Sequence, residues 1–108
     1  MKDNIFVRSN NVLVKINQAD IHFISAEGNY CIVHTLQGKK FAVKISLTAF
    51  MDKLNDADFT QVHRGYIVQL DLIETVDTVN GILNVRGEQI PMGRKFRDML
   101  LNQKINIV

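Results

Sequence analysis

Short runs of alternating apolar residues, broken every few positions by Gly, Asn or Asp, set the tightest limit on what this chain can fold into. Ile5–Arg8 and Val12–Ile16 flank Ser9-Asn10-Asn11, and Ile21–Glu27 and Tyr30–Leu36 flank Gly28-Asn29. Lys40–Ile45 follows Gln37-Gly38-Lys39. Phe59–His63, Tyr66–Leu70, Ile73–Asp77 and Ile82–Arg86 continue the pattern, with Val79-Asn80-Gly81 between the last two. Side chains of a strand alternate between two faces, so a period of two buries one face and wets the other. The runs are rich in β-branched and aromatic residues, which suit half-buried strands. Gly28-Asn29 reads as a two-residue hairpin loop, because both residues tolerate positive φ.

Two stretches change the period. In SLTAFMDKLND, residues Leu47, Phe50, Met51 and Leu54 form one helical stripe, with Ser46 placed to cap it. In PMGRKFRDMLLNQKI, residues Phe96, Met99, Leu100 and Gln103 share a helical face, with Pro91 and Gly93 just ahead. Both apolar faces are expected to cover sheet. A chain of 108 residues suffices for one domain with a modest core. No linker, low-complexity tract or internal repeat is evident. The expectation is a single mostly-β domain over residues 1–108, built of short antiparallel sheets with a mid-chain helix and a C-terminal helix.

Several kinds of chemistry find no support. Cys31 is the only cysteine, so no internal disulfide or Cys-based zinc site can form, which fits a reducing cytoplasm. Neither a signal-peptide pattern nor an apolar run of membrane-spanning length occurs. His22, His34 and His63 show no metal-ligand spacing. Cys31 and His34 are three apart on a strand and point to opposite faces. Glycines form no phosphate-binding loop, and Ser25, Ser46 and Thr48 belong to no triad motif. Neither an enzyme nor a bound cofactor or metal is expected.

What remains is charge and three polar tips. Residues 52–77 carry six acids (Asp52, Asp56, Asp58, Asp71, Glu74 and Asp77) against Lys53 and Arg64, leaving eleven bases and five acids elsewhere. A field segregated in this way can orient a protein on a polyanion. The tips are Gly28-Asn29-Tyr30 in a hairpin loop, His63-Arg64-Gly65 at a kink between strands, and Gly93-Arg94-Lys95 at a helix start, with Arg97 behind. An Arg-Lys pair at a helix N-terminus opposes the helix dipole. A bidentate contact to an anion or to guanine could offset that. The plain reading of these cations is a solvated surface.

The combination resembles the LytTR-type DNA-binding domain of bacterial response regulators. The resemblance runs through IFVRSNNVLVKI, DIHFISAEGNYCIVHT, GKKFAVKISLTAFMDKL, FTQVHRGYIVQLDLIETV and IPMGRKFRDMLL, nearly the whole chain. The blocks EGNY and HRGYIVQL, in that order before IPMGRKF, are its specific part. It implies an elongated β fold whose loops enter successive major grooves of double-stranded DNA, for transcription regulation in a two-component system. It implies base contacts by Asn29, Arg64 and Arg94, phosphate contacts by Lys44, Lys95 and Arg97, and structural support from His63, Tyr30 and Gly28. Repeated half-sites and dimerisation on DNA also follow from it, and so does a receiver domain in cis if the chain is an excised fragment rather than a stand-alone version.

Three positions depart from the family pattern. Gly65 stands where Ser is common, Gln69 where Asn is common, and Gly93 where Ser is frequent. The glycines remove hydroxyls that could bind phosphate, although backbone N–H groups can still do so. A reading of another class remains beside the DNA reading, namely a protein-interaction module that pairs through exposed sheet edges.

Overall fold

Alternation becomes ten strands in the computed structural model, which describes residues 3–108. The order is β1 (Asn4–Ser9), β2 (Val12–Asn17), β3 (Ile21–Glu27), β4 (Tyr30–Thr35), β5 (Lys40–Val43), α1 (Leu47–Met51), β6 (Phe59–His63), β7 (Tyr66–Gln69), β8 (Ile73–Asp77), β9 (Ile82–Val85), β10 (Glu88–Pro91) and α2 (Arg94–Met99). Single 3-10 turns fill Gln18–Asp20 and Leu70–Leu72. The molecule is elongated, 44 × 30 × 24 Å.

The strands form three antiparallel sheets: β1-β2, the central β5-β4-β3-β7-β6, and β10-β9-β8. The central sheet is apolar on both faces. Ile24, Cys31, Val33, Phe59 and Ile67 pack on one side with Val7 and Ile16 of the first hairpin and Leu47 and Phe50 of α1. Phe23, Val62 and Val68 pack on the other with Leu83, Val85, Ile90, Met92 and Leu100. Neighbours in sequence thus serve opposite cores, as Phe23–Ile24 and Ile67–Val68 do, so in this sheet the period of two sorts side chains between two buried faces rather than between a buried and a wet one. Each fully buried aliphatic or aromatic side chain contributes about 1.5–3 kcal/mol.

Bulges adjust this pattern. Ile21 pairs with Thr35 but Phe23 with His34, so His22 is an extra residue. Its side chain is turned out of the ladder and hydrogen-bonds the Val85 carbonyl, tying the central sheet to β9. Val62 is similarly extra between the pairs Gln61–Ile67 and His63–Tyr66. His34 stacks on Phe23 at 3.9 Å and bonds Ser25 Oγ at 3.0 Å. Burial, aided by Lys40, lowers its pKa. On the other face, the Cys31 thiol donates to the Ile45 carbonyl at 3.2 Å, and burial raises its pKa. Cys31 and His34 therefore do serve opposite faces.

The structure corrects several sequence expectations. β10 is an additional strand. It follows a two-residue turn, Arg86-Gly87, whose φ values of 47° and 89° both lie in the left-handed region. Arginine is a poor residue for that conformation, so the turn carried no signal. Arg86→Gly should raise stability by about 0.5–1 kcal/mol, the relief of left-handed strain less the entropy glycine loses on folding. Chemical denaturation measures it, and a lower midpoint would show that the Arg86 side chain matters more than its backbone.

Strands β4 and β5 end earlier than expected, at Thr35 and Val43, so Lys44 lies beyond its strand. The mid-chain helix is a single turn, capped as expected by Ser46 Oγ accepting from Ala49 N–H at 3.2 Å. Leu54 is buried from the turn that follows it. In the C-terminal helix, Met99 and Gln103 are exposed and Leu100 is fully buried. The helix widens into a π turn over Leu100–Lys104, which shifts Gln103 off the 3.6-residue phase that put it on the apolar face.

Candidate nucleic-acid interface

Strand pairing gathers the sequence-predicted tips at one end of the central sheet. Glu27 pairs with Tyr30, Ser25 with Tyr66, His63 with Tyr66, and Cys31 with Val43. The β3-β4 loop, the β6-β7 turn and the exit from β5 consequently share that end. Ala26 N–H donates to the Gly65 carbonyl at 2.8 Å, linking the first two. Asn29, Tyr30, Lys44 and Arg64 line one open recess, with Gln61 and Thr48 beside them. Sequence reasoning did not single out Gln61 as a member of this surface, since strand alternation alone assigns it only to a face.

The third tip joins through the bulge in β6. Gly93 N–H donates to the Val62 carbonyl at 2.7 Å. A Cβ built on Gly93 would lie 3.6 Å from His63 Cα, so the start of α2 rests directly against the residue preceding Arg64. Arg94 and Lys95 follow and are exposed. Gly93 is extended and caps α2 without a side-chain bond. The Lys95 ammonium lies 5.9 Å from the Phe96 ring centroid, at the outer limit of a cation–π contact.

Local chemistry shapes each tip. Gly28 alone takes the left-handed conformation in its loop, at φ 59°, and Asn29 is not among the non-glycine residues with positive φ. The turn's steric demand therefore falls on Gly28, leaving the Asn29 amide exposed. At the kink, Gly65 N–H donates to His63 Nδ1 at 3.0 Å, and the Gln61 amide donates to the His63 carbonyl at 3.2 Å. The His63 ring lies 5.7 Å from that of Tyr66. This network closes the turn and leaves Arg64 projecting. Among the described residues, no acidic side chain engages Arg64 or Arg94.

Arg97 sits differently. Its guanidinium donates to the Thr78 carbonyl at 2.8 Å, which ties α2 to the β8-β9 turn. That turn is organised by Asp77, whose carboxylate accepts from Val79 N–H, Asn80 N–H and the Asn80 amide. These bonds, led by those from Asn80, hold the Asp77 pKa below its usual value.

Acids bracket the far end of the β6-β7 hairpin. Asp58 precedes β6 and Asp71 follows β7, and with Asp3 they border a polar recess beside Gln69. Five strand residues, roughly 17 Å of backbone at about 3.3 Å each, separate that end from Arg64. Segregation is a property of this hairpin rather than of the whole molecule. Lys39 and Lys40 enter β5 at the far end, and Glu27 stands at the near one. Gln69 itself is buried and donates to the Ala19 and Ile21 carbonyls at 3.1 and 2.7 Å.

The described residues form a β scaffold that displays polar and cationic loops at one end of the central sheet. The profile of the LytTr DNA-binding domain matches residues 11–104. The chain belongs to that family, whose domains bind DNA and are not a catalytic class. A solved LytTr DNA-binding domain, described as part of a methyl-accepting/DNA response regulator from Bacillus cereus, shares the fold with a TM-score of 0.78. It is 20% identical, and the match covers 94% of this chain and 99% of that one. No helix among the described residues is long and apolar enough to cross a membrane.

Proposed function

We propose that the chain binds double-stranded DNA in a sequence-specific manner to regulate transcription, with the gathered tips set into successive major grooves. The observation that carries this is convergence. Asn29, Lys44 and Arg64 border one recess, and Gly93, which lies against His63, is followed directly by Arg94. In this reading Asn29, Arg64 and Arg94 read base edges, while Lys44 and Lys95 hold phosphates. His63, Tyr30 and Gly28 support the loops. Arg97, bonded to Thr78, contributes field more than direct contact, because engaging a phosphate would compete with its existing bond. Half-sites spaced near one helical turn would align two domains on one duplex face. Dimers then form on DNA, since no heptad stripe supplies an interface in the free protein.

Selection of bound duplexes from a random library tests the reading, followed by titration over a salt series. A selected sequence bound with a steep inverse salt dependence supports it. Retention of no sequence even at low salt would sink it.

Two variants separate the roles of adjacent cations. Arg94 and Lys95 diverge by about 100° around a helix, so they cannot aim at one base. Arg94→Lys keeps the charge but loses the fork suited to guanine, and should cost about 1 kcal/mol of discrimination or more. Lys95→Ala should weaken all duplexes alike and lower the log–log salt slope by about 1. Identical behaviour of the two alanine variants, with Arg94→Lys silent, would reduce both residues to a diffuse positive surface.

Asn29→Gly is the matching test at the hairpin. Glycine keeps the loop permissive and deletes only the amide. Affinity for the selected site should fall by about 1 kcal/mol, the worth of a net hydrogen bond. Parental affinity in that variant would confine Asn29 to turn formation.

A further inference from the structure

One edge of β1 pairs with no other strand among the described residues. Gln18 N–H donates to the Asp3 carbonyl at 2.7 Å, which sets the phase of the β1-β2 ladder. Bonded and non-bonded pairs alternate along an antiparallel ladder. With the observed register, Ile5, Val7 and Ser9 bond to β2, while Asn4, Phe6 and Arg8 turn their backbone N–H and C=O groups outward.

The edge borders a groove. Val43, Ile45, Phe50 and Lys53 line it together with the β1 residues. Among the described residues no Asp or Glu lines it, and the charged ones that do, Arg8 and Lys53, are cationic. Phe6 on its rim is 63% exposed, far more than a side chain committed to this fold's cores.

We propose that this edge and groove dock an extended acidic peptide segment of a partner protein by strand addition. The unpaired groups of Asn4, Phe6 and Arg8 supply main-chain hydrogen bonds, and alternate side chains supply specificity. Residues of the added strand that face the groove are apolar and rest on Val43, Ile45 and Phe50. Those on the outer side are acidic and meet Arg8, with Lys15 across the hairpin from Phe6. A second copy of the chain fits less well, because full antiparallel overlap of two β1 edges sets Phe6 opposite Phe6 and Arg8 opposite Asn4, which gives the cations no acidic partner. The proposal does not depend on the DNA reading, since its edge and groove use neither Asn29, Arg64 nor Arg94.

The test uses the full chain and a fluorescein-labelled peptide of alternating Val and Glu, roughly ten residues long. A Val/Lys peptide of equal length is the control. The acidic peptide should bind, and the amides of Phe6 and Arg8 should become protected from hydrogen exchange. The double variant Arg8→Glu/Lys53→Glu should lower affinity about tenfold or more, with an unchanged melting temperature. Both side chains are exposed, so folding should survive the change. Absence of binding, equal binding of the Val/Lys peptide, or protection appearing on the β5 edge instead would each overturn the proposal. So would sedimentation showing a free-protein dimer that Arg8→Glu abolishes, since the edge would then belong to a second copy.

Discussion

Arg64→Ala should lower affinity for the selected duplex by about 1–3 kcal/mol and relax preference at one base pair, leaving thermal stability unchanged. Arg64 is exposed, has no acidic partner among the described residues, and projects from a turn closed by the His63–Gly65 hydrogen bond. Removing its side chain deletes nothing that the fold uses. Titration of selected and random duplexes at matched salt separates the two possible roles. Loss confined to the selected duplex identifies a base reader. Equal loss on both would move Arg64 to the phosphates. His63→Ala is the companion variant. It removes the Nδ1 acceptor and the ring beside Tyr66, so melting temperature and affinity should fall together. A His63→Ala protein with parental melting and lost binding would place His63 on the DNA instead.

Gln69→Leu should destabilise the fold by about 2–3 kcal/mol. The Gln69 amide is the donor to two carbonyls, at Ala19 and Ile21, and the second bond is buried. Leucine keeps the approximate volume and leaves both acceptors without that partner. The loss has a consequence for the family comparison made from the sequence. Asparagine is common at this position in the family, and its side chain is shorter by one methylene. Gln69→Asn should therefore keep one of the two bonds and lose about half as much stability. The fraction that remains folded should bind DNA as the parent does, because Gln69 sits at the acidic end of the hairpin. Denaturant titration and a binding isotherm on the same samples check both statements. Weakened binding in a fully folded Gln69 variant would show that this departure acts on affinity.

The central sheet was legible because its strands are rich in β-branched and aromatic residues and its hairpins are closed by residues suited to a turn. The loop at Gly28-Asn29 and the Ser46 cap are local chemistry, and local chemistry can be read from neighbours. β10 was hidden by the same logic, since Arg86 adopts a conformation that its side chain disfavours. Helix lengths were over-read because Leu54 is buried from a turn, and an apolar residue at the right spacing looks helical whichever way it is buried.

Convergence of the candidate residues was beyond the sequence for a different reason. It rests on two backbone contacts between residues distant in the chain, Ala26 with Gly65 and Val62 with Gly93. Backbone groups are common to every residue and leave no compositional trace. The Arg97–Thr78 bond is similar, as its acceptor is a carbonyl. Sequence reasoning found cations of the right kind and could not tell which were already engaged.

The central sheet is a wall shared by two cores, and this divides the molecule into units that need not open together. α2 and the π turn after it are held by Leu100 in the second core, by the Gly93–Val62 backbone bond, by Arg97 on the Thr78 carbonyl and by Lys104 on the Asp56 carbonyl. The first core, with α1 and the opening hairpin, contains none of these residues. A local opening that lifts the last helix therefore carries Arg94 and Lys95 away while Asn29, Lys44 and Arg64 keep their frame. Free energies of such sub-global openings lie below that of complete unfolding. Such an opening would leave a two-tip surface in place of a three-tip one, and a ligand engaging all three tips would favour the closed form.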